Sequence, residues 1–267
     1  MPHELDAEPT IETRPAPPPW PHEMLPEKVT APDFSRREFA LREWMDGPCT
    51  YEEYRSAALS LGRLNRWTRA ARPTLDFLTR ILQHTGVTHE PPHIVDIGCG
   101  HGDLLREIHR WASRRSVPLR LTGIDQNPYA ARLARECDRF EHVSAGTIAW
   151  LTTDVFTADL ARPADVIVSS LLAHHLSEAD IARLIQWKET NARIGWLVSD
   201  LRRSERAANT VTWLARLLPI DGMVSHDAVV SFRRALSLEE WKNLAGEDPS
   251  VRDTGLGRLV VERLKLW

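Results

Sequence analysis

The stretch from His93 to Leu105, HIVDIGCGHGDLL, decides the fold. Its apolar opening, His93 to Ile97, reads as a strand. Gly98, Gly100 and Gly102 then alternate through a loop, and Asp103 onward, DLLREIHRWASRR, reads as a helix. Glycine lets the backbone take positive φ and approach a ligand closely, while a helix start offers unpaired N–H groups to polar or anionic atoms. A nucleotide-like ligand is the natural occupant. A dinucleotide fingerprint starting at Gly98 would need glycine at 103, where Asp103 stands, and the third glycine comes one residue early at Gly102. The NAD pattern therefore fails by one position.

Downstream of the loop, strand-like and helical runs alternate. The pattern predicts a helix over 103–115, a strand over 119–125, a helix over 128–138, strands over 148–153 and 165–171, a helix over 178–191 and a strand over 194–199. Such alternation implies an α/β fold with a parallel sheet covered by helices on both faces, with the ligand at the carboxyl ends of the strands. After Asp200 an apolar helix over 204–218 is expected, then a loop over 219–229 and the piece Val229 to Leu236. Ser237 with Glu240 caps a further helix through Leu244. Val251 to Leu256 and Arg258 to Leu264 read as a closing pair of strands.

Upstream, residues 1–33 hold half of the 18 prolines with few large aliphatic residues, so they read as a flexible Pro-rich tail or a ligand for a proline-binding partner. Residues 34–85 read as a helical cap, with capping boxes at Ser35/Glu38 and Thr50/Glu53 predicting two helices. A third helix begins at Pro73 and ends at Gly86. This segment is expected either as a lid over the active site or as a brace on the sheet, ahead of a main domain over 86–267.

The formal net charge of −3 over 267 residues gives no electrostatic footprint for a polyanion, so nucleic acid is not the expected partner. Cys49, Cys99 and Cys137 are scattered, with no C-x-x-C pair, which argues against a disulfide framework or a zinc knuckle and fits a reducing, cytoplasmic setting. No apolar run approaches the ~20 residues that span a bilayer. Oligomeric state is not legible.

Asp96-Ile97-Gly98-Cys99-Gly100-His101-Gly102 closely resembles motif I of the class I S-adenosylmethionine (SAM) dependent methyltransferases, in which a strand ends in an acid followed by G-x-G-x-G. The resemblance covers about residues 86–267 and implies a Rossmann-like, mostly parallel sheet with an antiparallel terminal strand and an N-terminal helical cap. It implies SAM as cofactor, with Asp96 near the methionine ammonium, often through water. Gly98, Gly100 and Gly102 would line the methionine and ribose. Cys99, also assigned to this lining, reads as a small filler and not as a nucleophile. In Thr122-Gly123-Ile124-Asp125-Gln126-Asn127-Pro128, Asp125 would accept from both ribose hydroxyls, with Gln126 beside it; an N-cap is the plainer role for an Asp here, although Asn127 suits that better. In Thr153-Asp154-Val155-Phe156, Asp154 would accept from the adenine amino group and the Val155 N–H would meet a ring nitrogen, against the plain alternative of a turn-initiating Asp. Ser170, closing the fourth strand, completes the expected cofactor set.

On the acceptor side, Ser169-Ser170-Leu171-Leu172-Ala173-His174-His175-Leu176 lacks the N/D-P-P-Y/F motif of nucleic-acid amino-methyltransferases and looks like small-molecule methyltransferases. His174 or His175 is a candidate base because imidazole titrates near working pH. No metal is expected, since adjacent histidines diverge in a strand and no nearby carboxylate completes a set. Ser225-His226-Asp227 and Ser231-Phe232-Arg233-Arg234, with Ser199-Asp200-Leu201-Arg202-Arg203, resemble a subgroup beside bacterial polyketide and quinone pathways. That resemblance implies secondary metabolism and a phenolic or enolic acceptor, with His226 as base and Arg202 or Arg233 holding an oxyanion; a solvated loop histidine among surface arginines is the plain alternative. A non-catalytic SAM-binding protein and methylation of RNA or protein are the rival functions.

Overall fold

Chain order sets the layers. Helices α1 (Tyr51–Trp67) and α2 (Arg72–Thr85) precede β1 (His93–Ile97), α3 (Asp103–Ser113), β2 (Arg120–Asp125), α4 (Pro128–Phe140), β3 (Ile148–Thr152) and β4 (Ala164–Ser170). A 3₁₀ turn at Ala173–His175 leads to α5 (Glu178–Asn191), β5 (Ala192–Leu201), α6 (Glu205–Leu217), α7 (Gly222–Arg234), α8 (Leu238–Ala245), β6 (Ser250–Gly255) and β7 (Arg258–Leu264). The computed structural model describes residues 33–43, 46–85, 90–160, 162–217 and 222–265, without the side chains of 85, 214–217 and 222–226.

The seven strands form one sheet in the order β3-β2-β1-β4-β5-β7-β6. β1 to β5 run parallel, and β7 pairs antiparallel with both β5 and β6. Strand order reverses between β1 and β4, which opens a crevice at their carboxyl ends. Both strands are buried almost throughout, as a sheet covered on two faces requires. Ile94, Val166 and Val168 pack with Phe77 of α2 and Leu105 and Ile108 of α3. Val95, Ile97 and Ile167 face the other way, onto Ile181 and Leu184 of α5 and Trp241 of α8. Among the described residues no helix is long and apolar enough to cross a membrane.

Helix starts follow local chemistry. The Glu53 N–H donates to Thr50 Oγ1 at 3.3 Å and the Thr50 N–H to Glu53 Oε2 at 2.8 Å, a complete capping box on α1. Asn127 caps α4 ahead of Pro128, and Ser237 with Glu240 caps α8. Thr50→Ala is expected to cost about 1 kcal/mol, read as a lower denaturant midpoint at unchanged slope.

Two expectations fail. Ser35 and Glu38 start no helix: the Ser35 N–H is taken by Asp33 Oδ1 at 2.8 Å, and the Glu38 N–H donates to the Arg233 carbonyl at 3.0 Å, so a tertiary bond replaces the local cap. The loop expected over 219–229 is largely helix α7, whose buried Asp227, Val230, Ser231 and Arg234 recur at helical spacing. Packing against α6, α1 and the 3₁₀ turn overrides the weak helix propensity of its β-branched residues. The tail through residue 32 and Gly86 lie outside the described residues.

Helices α1 and α2 both reach the crevice, which Arg72, Leu75, Asp76 and Thr79 of α2 line together with α1, and α2 also packs on the sheet. Phe77, Leu78 and Ile81 of α2 belong to the sheet core. Tyr54, Ala58, Leu61, Gly62 and Asn65 of α1 face the crevice.

Candidate active site

After Ile97 the chain turns through Gly98, Gly100 and Gly102, all at positive φ. Gly102 (φ +81°) is the N-cap of α3, and the Trp150 ring of β3 occupies the space a Cβ would need. Around Gly100 (φ +51°) nothing stands within 4 Å of where a Cβ would lie, so this backbone faces open space. Asp125 stitches the loop to the end of β2: its Oδ2 accepts the Gly100 N–H at 2.8 Å and its Oδ1 the Asn127 N–H at 2.8 Å. Burial pushes the Asp125 carboxyl up, and these two bonds oppose that shift. From inside α3, the Arg106 guanidinium donates to the His101 carbonyl at 2.7 Å and locks the loop's far side.

A cavity of about 470 Å³ opens here, lined by Asp96, Gly98, Cys99, Gly100 and Ser170 under the roof of α1. Asp96 is 2% exposed, and among the described residues its Oδ1 has no hydrogen-bond partner. Burial, with Asp103 nearby, pushes its carboxyl well above the ordinary range. A cation on the cavity side would relieve that cost. Beneath it lies Lys188, wholly buried, donating to Ser169 Oγ at 2.7 Å and the Leu197 carbonyl at 2.8 Å; burial pulls it down to about 7 against the pull of Asp96. Cys99 is buried, and burial raises its thiol well above the usual value, which suits a filler. Gln126 is exposed at the end of β2. Asp154 is exposed after β3, its Oδ1 accepting the Phe156 N–H at 2.9 Å in a turn, while Val155 packs on the core.

A second cavity of about 100 Å³ adjoins the first, since Leu61, Asn65 and Leu171 line both. His174 and His175 line it from the 3₁₀ turn after β4. His174 is buried, its Nδ1 is 2.7 Å from Asp200 Oδ1, and its backbone N–H donates to Asp200 Oδ2 at 3.1 Å. Burial raises the Asp200 carboxyl, but the His174 ring and the bonds around it more than offset that and hold it below the usual range. His175 places Nδ1 3.0 Å from Asp46 Oδ1. Each ring turns its Nε2 toward Glu43, at 3.6 Å from Oε1 for His174 and from Oε2 for His175.

The reasons given against a metal thus do not hold in the fold. The two histidines sit in a turn instead of a strand, with ring centroids 4.2 Å apart, and the carboxylates around them come from distant chain positions. The other expected acceptor residues are His226, Arg202 and Arg233. His226 falls in α7 and its side chain is outside the described residues, although Asp227 beside it lines the cavity. Arg202 pairs with Asp253 at 3.0 Å, and neither Arg202 nor Arg233 is among the described residues lining the cavity. Arg258 is: it is buried, pulled down to about 10 by that burial, and its Nη1 has no partner among the described residues. Glu43, Asp46 and Arg258 carry no local motif that could have marked them; Asp200 stood only within the Ser199-Asp200-Leu201-Arg202-Arg203 stretch, with no role of its own.

Residues 94–193, the stretch that carries the glycine loop, Asp125 and both histidines, match the family model described as a methyltransferase domain. The chain is also 28% identical over 219 residues to the trans-aconitate 2-methyltransferase of Streptomyces avermitilis, covering 72% of this chain and 77% of that protein. The protein is a SAM-dependent methyltransferase. The methyltransferase shares its fold with the plantazolicin methyltransferase BpumL, solved with a desmethylplantazolicin analogue and S-adenosylhomocysteine (TM-score 0.54, 18% identity, 78% of this chain and 81% of that one). It also resembles an O-methyltransferase family 2 protein from Planctomyces limnophilus in complex with apigenin (TM-score 0.58, 19% identity, 83% of this chain and 63% of that one).

The residues present fit SAM. The unpaired Asp96 carboxylate suits an ammonium group, the open backbone at Gly100 admits a ligand, and Asp125 keeps acceptor capacity beyond its two N–H bonds.

Proposed function

We propose that the methyltransferase acts on a hydroxyl oxygen of a small phenolic or enolic molecule held in the second cavity. The observation that carries this reading is the junction of the two cavities at Leu61, Asn65 and Leu171, with two imidazoles on the far cavity's wall. Asp96, Gly100 and Asp125 would hold SAM, with Gln126, Asp154 and Val155 at its adenosine end. When bound, SAM supplies a methyl group already activated on a sulfonium. The chain's own tasks are to align the acceptor oxygen and exclude water, for which α1 closes the cavity. With Nδ1 held by Asp200, His174 has Nε2 on the Glu43 side of the cavity wall, where it would receive the hydroxyl hydrogen.

His174→Gln is expected to lower turnover by about 10²- to 10⁴-fold while S-adenosylhomocysteine binding stays unchanged, measured by transfer of labelled methyl to a panel of phenols and enols. Unaltered turnover in His174, His175 and His226 variants would remove the imidazole role. One observation favours a second acceptor. The unpaired Nη1 of buried Arg258 suits a carboxylate, and the Streptomyces relative is named for trans-aconitate. A carboxylate acceptor needs no proton removed, so it predicts activity kept in His174→Gln and lost in Arg258→Met.

A further inference from the structure

We propose that Glu43, His174 and His175 form a binding site for a divalent first-row metal ion in the wall of the second cavity. The three ligand atoms lie within 4.8 Å of one another, and each Nε2 stands 3.6 Å from a different oxygen of Glu43. That spacing is too long for a hydrogen bond. It is close to the separation of about 3.3 Å between neighbouring ligands of a tetrahedral ion with bonds of about 2.0–2.1 Å. Small side-chain rotations close the gap.

The surroundings prepare those atoms. Asp200 and Asp46 engage the Nδ1 atoms at 2.7 and 3.0 Å, which places a proton on Nδ1 and leaves each Nε2 lone pair free, the tautomer a metal ligand needs. Ser231 Oγ lies 2.8 Å from both Glu43 Oε1 and the Asp227 carbonyl, so its one hydrogen is shared between them and Oε2 is not used. Arg234, 3.8 Å from Glu43 Oε1, is engaged with Asp46 and the His174 carbonyl and does not stand between the three ligands and the cavity.

Two imidazoles and one carboxylate suit zinc, iron, cobalt, nickel or manganese, and three protein ligands leave positions open. All three residues line the cavity, so those positions face the acceptor. The role, though not the site, rests on reading that cavity as the acceptor's. There the ion would take an acceptor hydroxyl, with His174 Nε2 serving as a ligand in place of its role as base, and the hydroxyl proton leaves to water; the O–CH₃ bond then forms as the S–CH₃ bond breaks, with the electron pair left on sulfur.

The test is titration of tag-free, chelator-stripped full-length protein with Co²⁺, followed by visible absorption, and with Zn²⁺ by calorimetry. One equivalent is expected to bind at micromolar concentration or tighter, with weakening of about 10- to 100-fold in Asp46→Asn, which alters the group that orients His175 and also holds Arg234 and the Glu43 N–H. Glu43→Gln, checked for an intact fold by its melting curve, is expected to abolish binding. Absence of binding below millimolar metal, or binding unchanged in Glu43→Gln, overturns the site. Methyl transfer by the stripped protein is scored separately: hydroxyl methylation without metal binding sinks this proposal alone, and metal binding without transfer to any hydroxyl compound sinks the acceptor reading alone.

Discussion

Asp125→Ala is expected to weaken binding of SAM and S-adenosylhomocysteine by about 100-fold or more, which corresponds to about 2.7 kcal/mol. Two losses combine. A hydrogen bond to a charged group contributes about 1.5–3 kcal/mol, and the substitution removes the acceptor proposed for both ribose hydroxyls. It also frees the Gly100 N–H, now held at 2.8 Å by Asp125 Oδ2, so the loop that must approach the ligand keeps only the Gly98 and Cys99 N–H bonds to the Ile124 carbonyl of β2. Titration calorimetry on the wild type and the variant measures the effect, with NADH as control ligand and a melting curve to show that the variant is folded. Unchanged affinity would mean that the carboxylate serves only the loop, and NADH binding in place of SAM would overturn the assignment of the site.

Gly102→Ala is expected to damage the fold itself. A residue with a Cβ at φ +81° costs about 1–2 kcal/mol, and the added methyl meets the Trp150 ring, at a cost of about 1–3 kcal/mol more. In a domain of this size the sum lowers the melting temperature by about 5–15 °C. Gly100→Ala separates the two effects, because its Cβ enters open space: it should cost only the conformational part of the stability while blocking the cofactor. In a double-mutant cycle, Trp150→Leu is expected to restore the steric part of the Gly102→Ala loss and none of the φ part. Equal melting curves for Gly102→Ala and the wild type would remove the explanation given for the third glycine.

The contrast between these two glycines shows what could be read from the chain. Their alternation announced a turn and a ligand, but which glycine serves the fold and which the ligand depends on Trp150, which lies on a different strand. The same limit explains Ser35 and Glu38. Their spacing meets the rule for a cap, yet the Glu38 N–H is bonded to the Arg233 carbonyl, nearly two hundred residues away. It also explains α7, whose β-branched residues are held helical by neighbours that no local window contains.

By itself the sequence determined the order of elements from β1 to β5, the parallel sheet, the glycine loop at its centre, Asp96 and Asp125 at the strand ends and the caps on α1, α4 and α8. Each follows from periodicity or from chemistry within a few residues, which act before the chain is folded. Only the tertiary structure assembled the second cavity. Glu43 and Asp46 come from the irregular segment before α1, Asp200 from the end of β5, Arg258 from the start of β7, and they meet His174 and His175 where β4 ends. Burial there gives these groups their partners and their energetic weight, and burial is a property of the packed whole.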